Sequence, residues 1–323
     1  MNRKILQRVL WMLLTLCLAF SLLGGTGRLQ PVSEEVDALL SASFDEQSTE
    51  AGETPASDEA EVVEPKIAEV TTVEESDEPF QAPEMSSYCN REYVGSYKVY
   101  SGHPYVCAQG VFSALYPNAR FTQTEEGLSI EAGDITVEAR FGEKYFTSNG
   151  RYLYAPAGVI STDDGVYLPA DSLAKCFGGT VSLDETAERL DIFATDITPL
   201  DPGDGFYNED DVYWLSRIIY AEAGIESLEG QIAVGNVVIN RVASSVFPQD
   251  NIKDVIFAKG QFDPVAAGTV NRTPSDEAVV AAKLALDGCK MVPDYTLFFA
   301  TFHLGSGYTA VTWIGNHCFM ALA

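Results

Sequence analysis

Leu215-Ser216-Arg217-Ile218-Ile219-Tyr220-Ala221-Glu222-Ala223-Gly224-Ile225-Glu226 is the stretch that decides how the carboxyl-terminal part of this chain folds. Val212, Leu215, Ile218, Ile219 and Glu222 recur at three- and four-residue spacing, the period of a single helix face. Glu209-Asp210-Asp211 place negative charge where a helix amino terminus favours it, and Gly224 supplies a stop. Ser227 is placed to cap a second helix, Leu228 to about Val242, whose Gly230, Ala233 and Gly235 permit close packing. Ser275 caps a third, Asp276 to Leu286, with Gly288 beyond its end. Residues 209–323 therefore read as a mainly α module.

Within this pattern Glu222 stands out. It falls on the apolar stripe, in the last turn of its helix. There both burial and the negative end of the helix dipole disfavour the anion. Both effects raise the pKa toward the range of a general acid at neutral pH. The competing reading is a buried glutamate satisfied by Arg217 or Arg241.

Upstream, Pro199, Pro202, Gly203 and Gly205 mark residues 199–208 as a flexible linker, which predicts modules able to fold separately. Residues 88–198 are rich in short strand-like runs: Tyr93–Val99, Leu128–Ile130, Ile135–Arg140, Arg151–Tyr154, Val166–Leu168 and Leu190–Phe193. Two units in this module share a plan. Gly102-His103-Pro104-Tyr105-Val106 leads into a helical stretch and then Asn118-Ala119-Arg120-Phe121. Gly165-Val166-Tyr167-Leu168-Pro169 leads into another and then Gly178-Gly179-Thr180-Val181. The fold class expected is α+β in two modules: a β-rich, repeat-type stalk and a mainly α domain.

The amino-terminal part is different in kind. The chain has 47 acidic and 20 basic side chains, a formal charge of -27, which argues against binding nucleic acid through its phosphates. Residues 33–85 carry 17 of those acids against Lys66 alone. The segment 33–87 therefore reads as an acidic, disordered linker. Before it, Arg3, Lys4 and Arg8 precede an apolar run from Val9 to Leu23. Residues 1–32 read as a signal peptide or signal anchor that sends the rest of the chain across a membrane, secreted or membrane-anchored. Five cysteines lie beyond the signal, none in Cys-x-x-Cys spacing; Cys89–Cys107 and Cys289–Cys318 are candidate bridges, with free thiols the alternative.

The opening stretch also resembles the first motif of the SleB-type cell wall hydrolases, the spore-cortex-lytic enzymes and their vegetative relatives. The likeness continues through Glu229 to Val242, Phe247-Pro248, Val255-Ile256-Phe257, Gly260-Gln261-Phe262-Asp263-Pro264-Val265 and Ile314-Gly315-Asn316-His317-Cys318-Phe319. Between its two glutamates the family usually has Arg-Gly, where this chain has Gly224-Ile225. The resemblance implies a lysozyme-like fold and cleavage of peptidoglycan glycan strands, with Glu222 as the catalytic acid. It implies a lytic transglycosylase that needs no second carboxylate; were water the nucleophile, Glu226 or Asp263 would be the base.

The supporting residues are read with two roles each. Gln261 and Phe262 hold an acetamido group and stack on a sugar, or are core residues under a turn. Asn240 positions the acid or caps a helix end. Phe298 is core or groove wall. His317 reads as a histidine bonded to backbone, with proton transfer the alternative. The double unit of 88–198 is similar to the amino-terminal domain of copper amine oxidases, which implies a binding or spacer module without copper chemistry. No cofactor and no metal are called for. The partners expected are peptidoglycan glycan strands, and the wall or membrane through the amino-terminal segment. Two rival functions remain: a zinc amidase acting on the stem peptide, for which 209–323 offers only His303 and His317, and a non-catalytic wall-binding surface protein.

Overall fold

The computed structural model of the chain describes residues 85–323, which belong to one compact unit. The signal and nearly all of the acidic linker lie outside the described residues. The first strand begins at Ser86, inside the last two residues assigned to that linker, because Ser86 pairs with Arg189 and Ser96.

The stalk holds three sheets. The first runs in the order β12-β13-β1-β2, from Thr180–Asp184, Arg189–Phe193, Ser86–Cys89 and Glu92–Ser96. The second runs β10-β11-β4-β3, from Ile160–Thr162, Gly165–Pro169, His103–Cys107 and Lys98–Tyr100. The third is a meander of β5 (Arg120–Gln123), β6 (Gly127–Ala132), β7 (Ile135–Arg140), β8 (Tyr145–Ser148) and β9 (Arg151–Tyr154). The strict in-out alternation of β7, buried at Ile135, Val137 and Ala139, shows why it forms: one face meets the core and the other meets water.

The repeat read from sequence is real in space. β4 leads into helix α1 (Ala108–Leu115) and β5; β11 leads into helix α2 (Ala170–Lys175) and β12. β4 and β11 lie side by side, with Tyr167 opposite Cys107 and Pro169 opposite Tyr105. Phe112 from α1 and Phe177, just past α2, meet edge to face at 5.9 Å in one shared core. The five cysteines of the described residues are free thiols, so neither candidate bridge forms.

In the carboxyl-terminal module the predicted helices stand where the caps put them. After the short helix α3 (Gly203–Phe206), helix α4 spans Glu209–Ala223, with the Asn208 side chain accepting from the Asp211 amide. Helix α5 spans Leu228–Ala243 under the Ser227 cap. Helices α6 (Ile252–Phe257) and α7 (Asp263–Ala266) follow, then α8 (Asp276–Leu286) under the Ser275 cap. Gly235 lets three helices touch: a Cβ there would lie 3.0 Å from Ile219 of α4 and 3.2 Å from Ala285 of α8. The module closes with a sheet of order β14-β16-β15, formed by Phe298–Ala300, His317–Leu322 and Tyr308–Ile314.

The joint between the modules is not the free tether that its prolines and glycines suggest. Residues 203–206 are helical, and the Gly203 amide donates to Asn149 O at 2.8 Å. Across the joint, Arg151 of β9 reaches Asp287, just past α8, with Nη2 at 2.5 Å and Nε at 2.6 Å from Oδ1. Tyr207 Oη and the Tyr152 amide donate to the other oxygen. Lys144 Nζ and Tyr154 Oη share Glu229 Oε1, at 2.6 and 2.7 Å. The side-chain partners are 75 to 136 residues apart, so local composition carries no sign of them.

The Arg151 and Asp287 side chains keep only 11% and 3% of their exposure. Breaking a buried pair by removing one partner strands the other charge, at about 3–5 kcal/mol. Arg151→Ala is therefore expected to lower unfolding stability by about 3 kcal/mol, read by urea denaturation. An unchanged midpoint would show that the modules are coupled only through their linker.

Candidate active site

Helix α5 carries polar side chains on an almost wholly buried surface, and each needs a partner. Three of them find partners on the irregular chain between α8 and β14. Asn236 donates to Cys289 O and accepts from the Met291 amide, both at 2.8 Å. Asn240 Nδ2 donates to Pro293 O and Thr296 O, both at 3.0 Å. Arg241 Nε donates to Leu297 O at 2.8 Å. This irregular segment is thus held by helix side chains up to Leu297, whose amide donates to Met320 O, and β14 begins at the next residue.

The Arg241 guanidinium is 5% exposed and lies beneath three rings, 4.8 Å from Phe262, 5.0 Å from Phe247 and 5.8 Å from Phe298. Its Nη1 reaches Gln261 Oε1 at 3.5 Å. Burial pulls its pKa down to about 10 against the opposing pull of Glu222, leaving it charged at neutral pH.

Glu222, in the last turn of α4, is half-buried. Burial and then the Asp263 carboxylate push its pKa up to about 7, while Arg241 holds it back. Among the described residues no side chain hydrogen-bonds the Glu222 carboxyl. Of the two arginines proposed from sequence, only Arg241 bears on it; Arg217 lies over the Tyr213 ring at 3.6 Å and donates to Tyr213 O. Asp263 opens α7 and is exposed.

Four residues on, the chain has turned at Gly224 and Glu226 meets a different environment. Its Oε1 accepts from Asn316 Nδ2 at 2.8 Å and its Oε2 from the Asn316 amide at 3.1 Å. These bonds hold its carboxyl below the usual range, against burial. Next to Asn316, His317 is buried between Phe299 and Phe319, with ring centroids 5.4 and 6.2 Å away. Burial lowers its pKa, and its Nδ1 has no hydrogen-bond partner among the described residues, so the backbone contact expected of it is not made there.

The structure thus brings Gln261 and Phe262 against Arg241, leaves Glu222 within electrostatic reach of both Arg241 and Asp263, and places Glu226 and His317 at the β15–β16 turn. Phe262 and Phe298 are 5% and 9% exposed and form part of the core beneath the site, whereas Phe299 is half-buried. Asn240 holds backbone. Arg241 and Asn316 are the residues the sequence reading passed over as site members. The only local signals were the Asn-Arg pair ending α5 and the Gly-Asn of a turn. His303 accepts from the Gly305 amide in an exposed loop, whereas His317 is buried in β16. Among the described residues no group of three His, Cys, Asp or Glu side chains converges as a metal site.

Residues 225–320 match the Cell Wall Hydrolase family, and residues 92–192 match the copper amine oxidase N-terminal domain. The first match begins three residues past Glu222. A spore cortex-lytic enzyme of Halalkalibacterium halodurans is 34% identical over 117 residues, 35% of this chain and 35% of that protein. One from Oceanobacillus iheyensis is 32% identical over 117 residues, 35% of this chain and 42% of that protein. The matched region is therefore well under half of those relatives. Among solved structures, the catalytic domain of Bacillus cereus SleB is 29% identical, with a TM-score of 0.33, covering 35% of this chain and 91% of that one. Residues 225–320 are thus similar to cell wall hydrolases, spore cortex-lytic enzymes among them, and residues 92–192 to the copper amine oxidase N-terminal domain.

Proposed function

We propose that the protein is an exported peptidoglycan hydrolase that cleaves glycan strands, with Glu222 as its single general acid and base. The observation that carries this reading is the Glu222 carboxyl, held protonated to about pH 7 beside a buried guanidinium. A carboxylic acid with a pKa near the working pH is suited both to give a proton and to take one back.

Glu222 delivers its proton to the glycosidic oxygen between N-acetylmuramic acid and N-acetylglucosamine. Positive charge develops at the anomeric carbon while the carboxylate, now ionised, faces Arg241. The carboxylate then removes the proton of the muramic 6-hydroxyl, whose oxygen attacks that carbon and leaves a 1,6-anhydro end. Arg241 offsets the charge that Glu222 acquires, which desolvation alone would oppose. Asp263, exposed and within electrostatic reach, is the base only if water is the nucleophile. In this reading residues 209–323 are the catalytic module, 88–198 position it, and the amino-terminal segment brings it to the envelope.

Glu222→Gln is expected to cut release of soluble fragments from purified peptidoglycan by about 10²–10⁴-fold, with the fold intact by circular dichroism. Mass spectrometry of wild-type products should find anhydro-muramic ends. Reducing ends would assign the nucleophile to water, and freed stem peptides would replace the reading with an amidase.

The raised pKa fixes a second outcome. An unfolded Glu ionises near 4.5, while folded Glu222 does so near 7. Wild-type stability therefore falls as pH rises through that window, because the unfolded chain releases the proton first. Glu222→Gln does not titrate, so its Tm should gain on wild type between pH 4.5 and 7 and hold that gain above. Wild-type activity should decline above about pH 7 as the acid form is lost. Parallel Tm curves would show that Glu222 ionises normally.

A further inference from the structure

Glu226 is a buried carboxylate that the proposed chemistry does not use, yet its surroundings are closely built. Both oxygens are occupied by Asn316, 90 residues away in sequence. The residue before, Gly315, has φ +55° and no room for a side chain: a Cβ there would lie 1.9 Å from Glu226 Oε2. On the other side, Gly230 lies where a Cβ would be 3.0 Å from Glu226 Cβ and 3.8 Å from Ile314 Cγ2. Gln231 Nε2 donates to the Glu226 carbonyl at 3.1 Å and to Glu277 of α8 at the same distance. The loop after α4, the start of α5 and the β15–β16 turn are thus fitted at one point.

That point closes a circuit around the proposed acid. Glu222 lies within electrostatic reach of Arg241, Arg241 lies against Phe262, Phe262 is 6.4 Å from Phe299, and Phe299 meets His317 edge to face. His317 follows Asn316, which holds Glu226, four residues from Glu222. We propose that Glu226 is a positioning residue: its carboxylate clamps the Gly315-Asn316 turn so that the β15–β16 hairpin stands as a fixed wall beside Glu222. This rests on the reading of Glu222 as the acid.

A carboxylate suits the clamp because both of its partners are N–H donors. In Glu226→Gln one oxygen still accepts, but the new NH₂ faces the Asn316 NH₂, donor against donor. Asn316→Asp alone puts two carboxylates together. Combined, the two substitutions restore complementarity: the introduced amide accepts from the backbone N–H and donates to the introduced carboxylate. The swap keeps the hydrogen bonds and removes the carboxylate from position 226.

The test uses the whole protein, with glycan cleavage and hydrogen exchange of the 308–322 amides as separate readouts. Each single variant is expected to lose on the order of 10- to 10²-fold in kcat/KM on a soluble glycan oligomer, and to exchange faster across the hairpin. The double variant should recover most of both, and the fall in activity above about pH 7 should stay in place, since Glu222 sets it. Recovered exchange without recovered activity would make Glu226 a participant in the chemistry and overturn the proposal. Glu226→Gln with unchanged exchange and activity would also overturn it. If Glu222→Gln leaves cleavage intact, the parent reading fails, while the exchange data still decide whether the clamp holds the hairpin.

Discussion

A cation sits inside the core of the carboxyl-terminal module, and much of that module is arranged around keeping it there. Burying a guanidinium costs several kcal/mol unless its donors are met and an opposite charge is at hand. Arg241 meets one need through the Leu297 carbonyl, another through the faces of Phe247, Phe262 and Phe298, and the last through Glu222. Each contact fixes a different part of the chain: the lead into β14, the loop after α5, the entry to α7 and the end of α4. The arginine also sets how acidic Glu222 is. Desolvation and Asp263 push that carboxyl up, Arg241 pulls it down, and the balance falls near 7. With desolvation unopposed, the group would hold its proton too firmly to give it away.

Helix α5 links this centre to the stalk. Glu229 in its first turn takes the Lys144 and Tyr154 bonds from the β8–β9 hairpin, and Arg241 in its last turn is coupled electrostatically to Glu222. Twelve residues separate them, about 18 Å of helix. The second tie, Arg151 to Asp287, is made at the end of α8, which packs along α5 at Gly235. Tyr145, Tyr152 and Tyr154 pack against the hydrolase core itself. A stalk docked in this way shares its stability with the module that carries Glu222, so the strength of the joint and the rigidity of α5 are one physical question.

What the sequence made legible was local. The helix period placed Glu222 on a buried stripe, Ser227 and Ser275 capped the helices they precede, and the twofold plan of the stalk showed in two Gly-strand-helix units. What it hid were pairings across long separations. Asn240 has the composition of a cap or an acid-positioning residue, and only the path of residues 293–297 shows that it holds backbone. Phe262 reads equally as a sugar-stacking ring and Phe298 as a groove wall until Arg241 is found beneath them. The Pro/Gly segment 199–208 reads as slack because the side chains that tighten it, Arg151 and Asp287, lie far off on either side.

Glu222 and Glu226 show how little separation in sequence is needed to give one residue type opposite characters. On an unbroken helix, residues four apart share a face and would share a solvent and a field. The helix ends at Ala223, and the turn through Gly224 sends the second glutamate to another surface. Glu222 is left half-buried with a carboxylate for a neighbour and no hydrogen bond to favour its anion, so the proton stays on. Glu226 is given two N–H donors, and its proton comes off more readily than usual. Environments that push the pKa values of neighbouring acids apart divide the roles between them. Under the proposed chemistry, the carboxyl that keeps its proton near neutral pH is the one with something to transfer, and the one held as an anion by two donors is the one with geometry to hold.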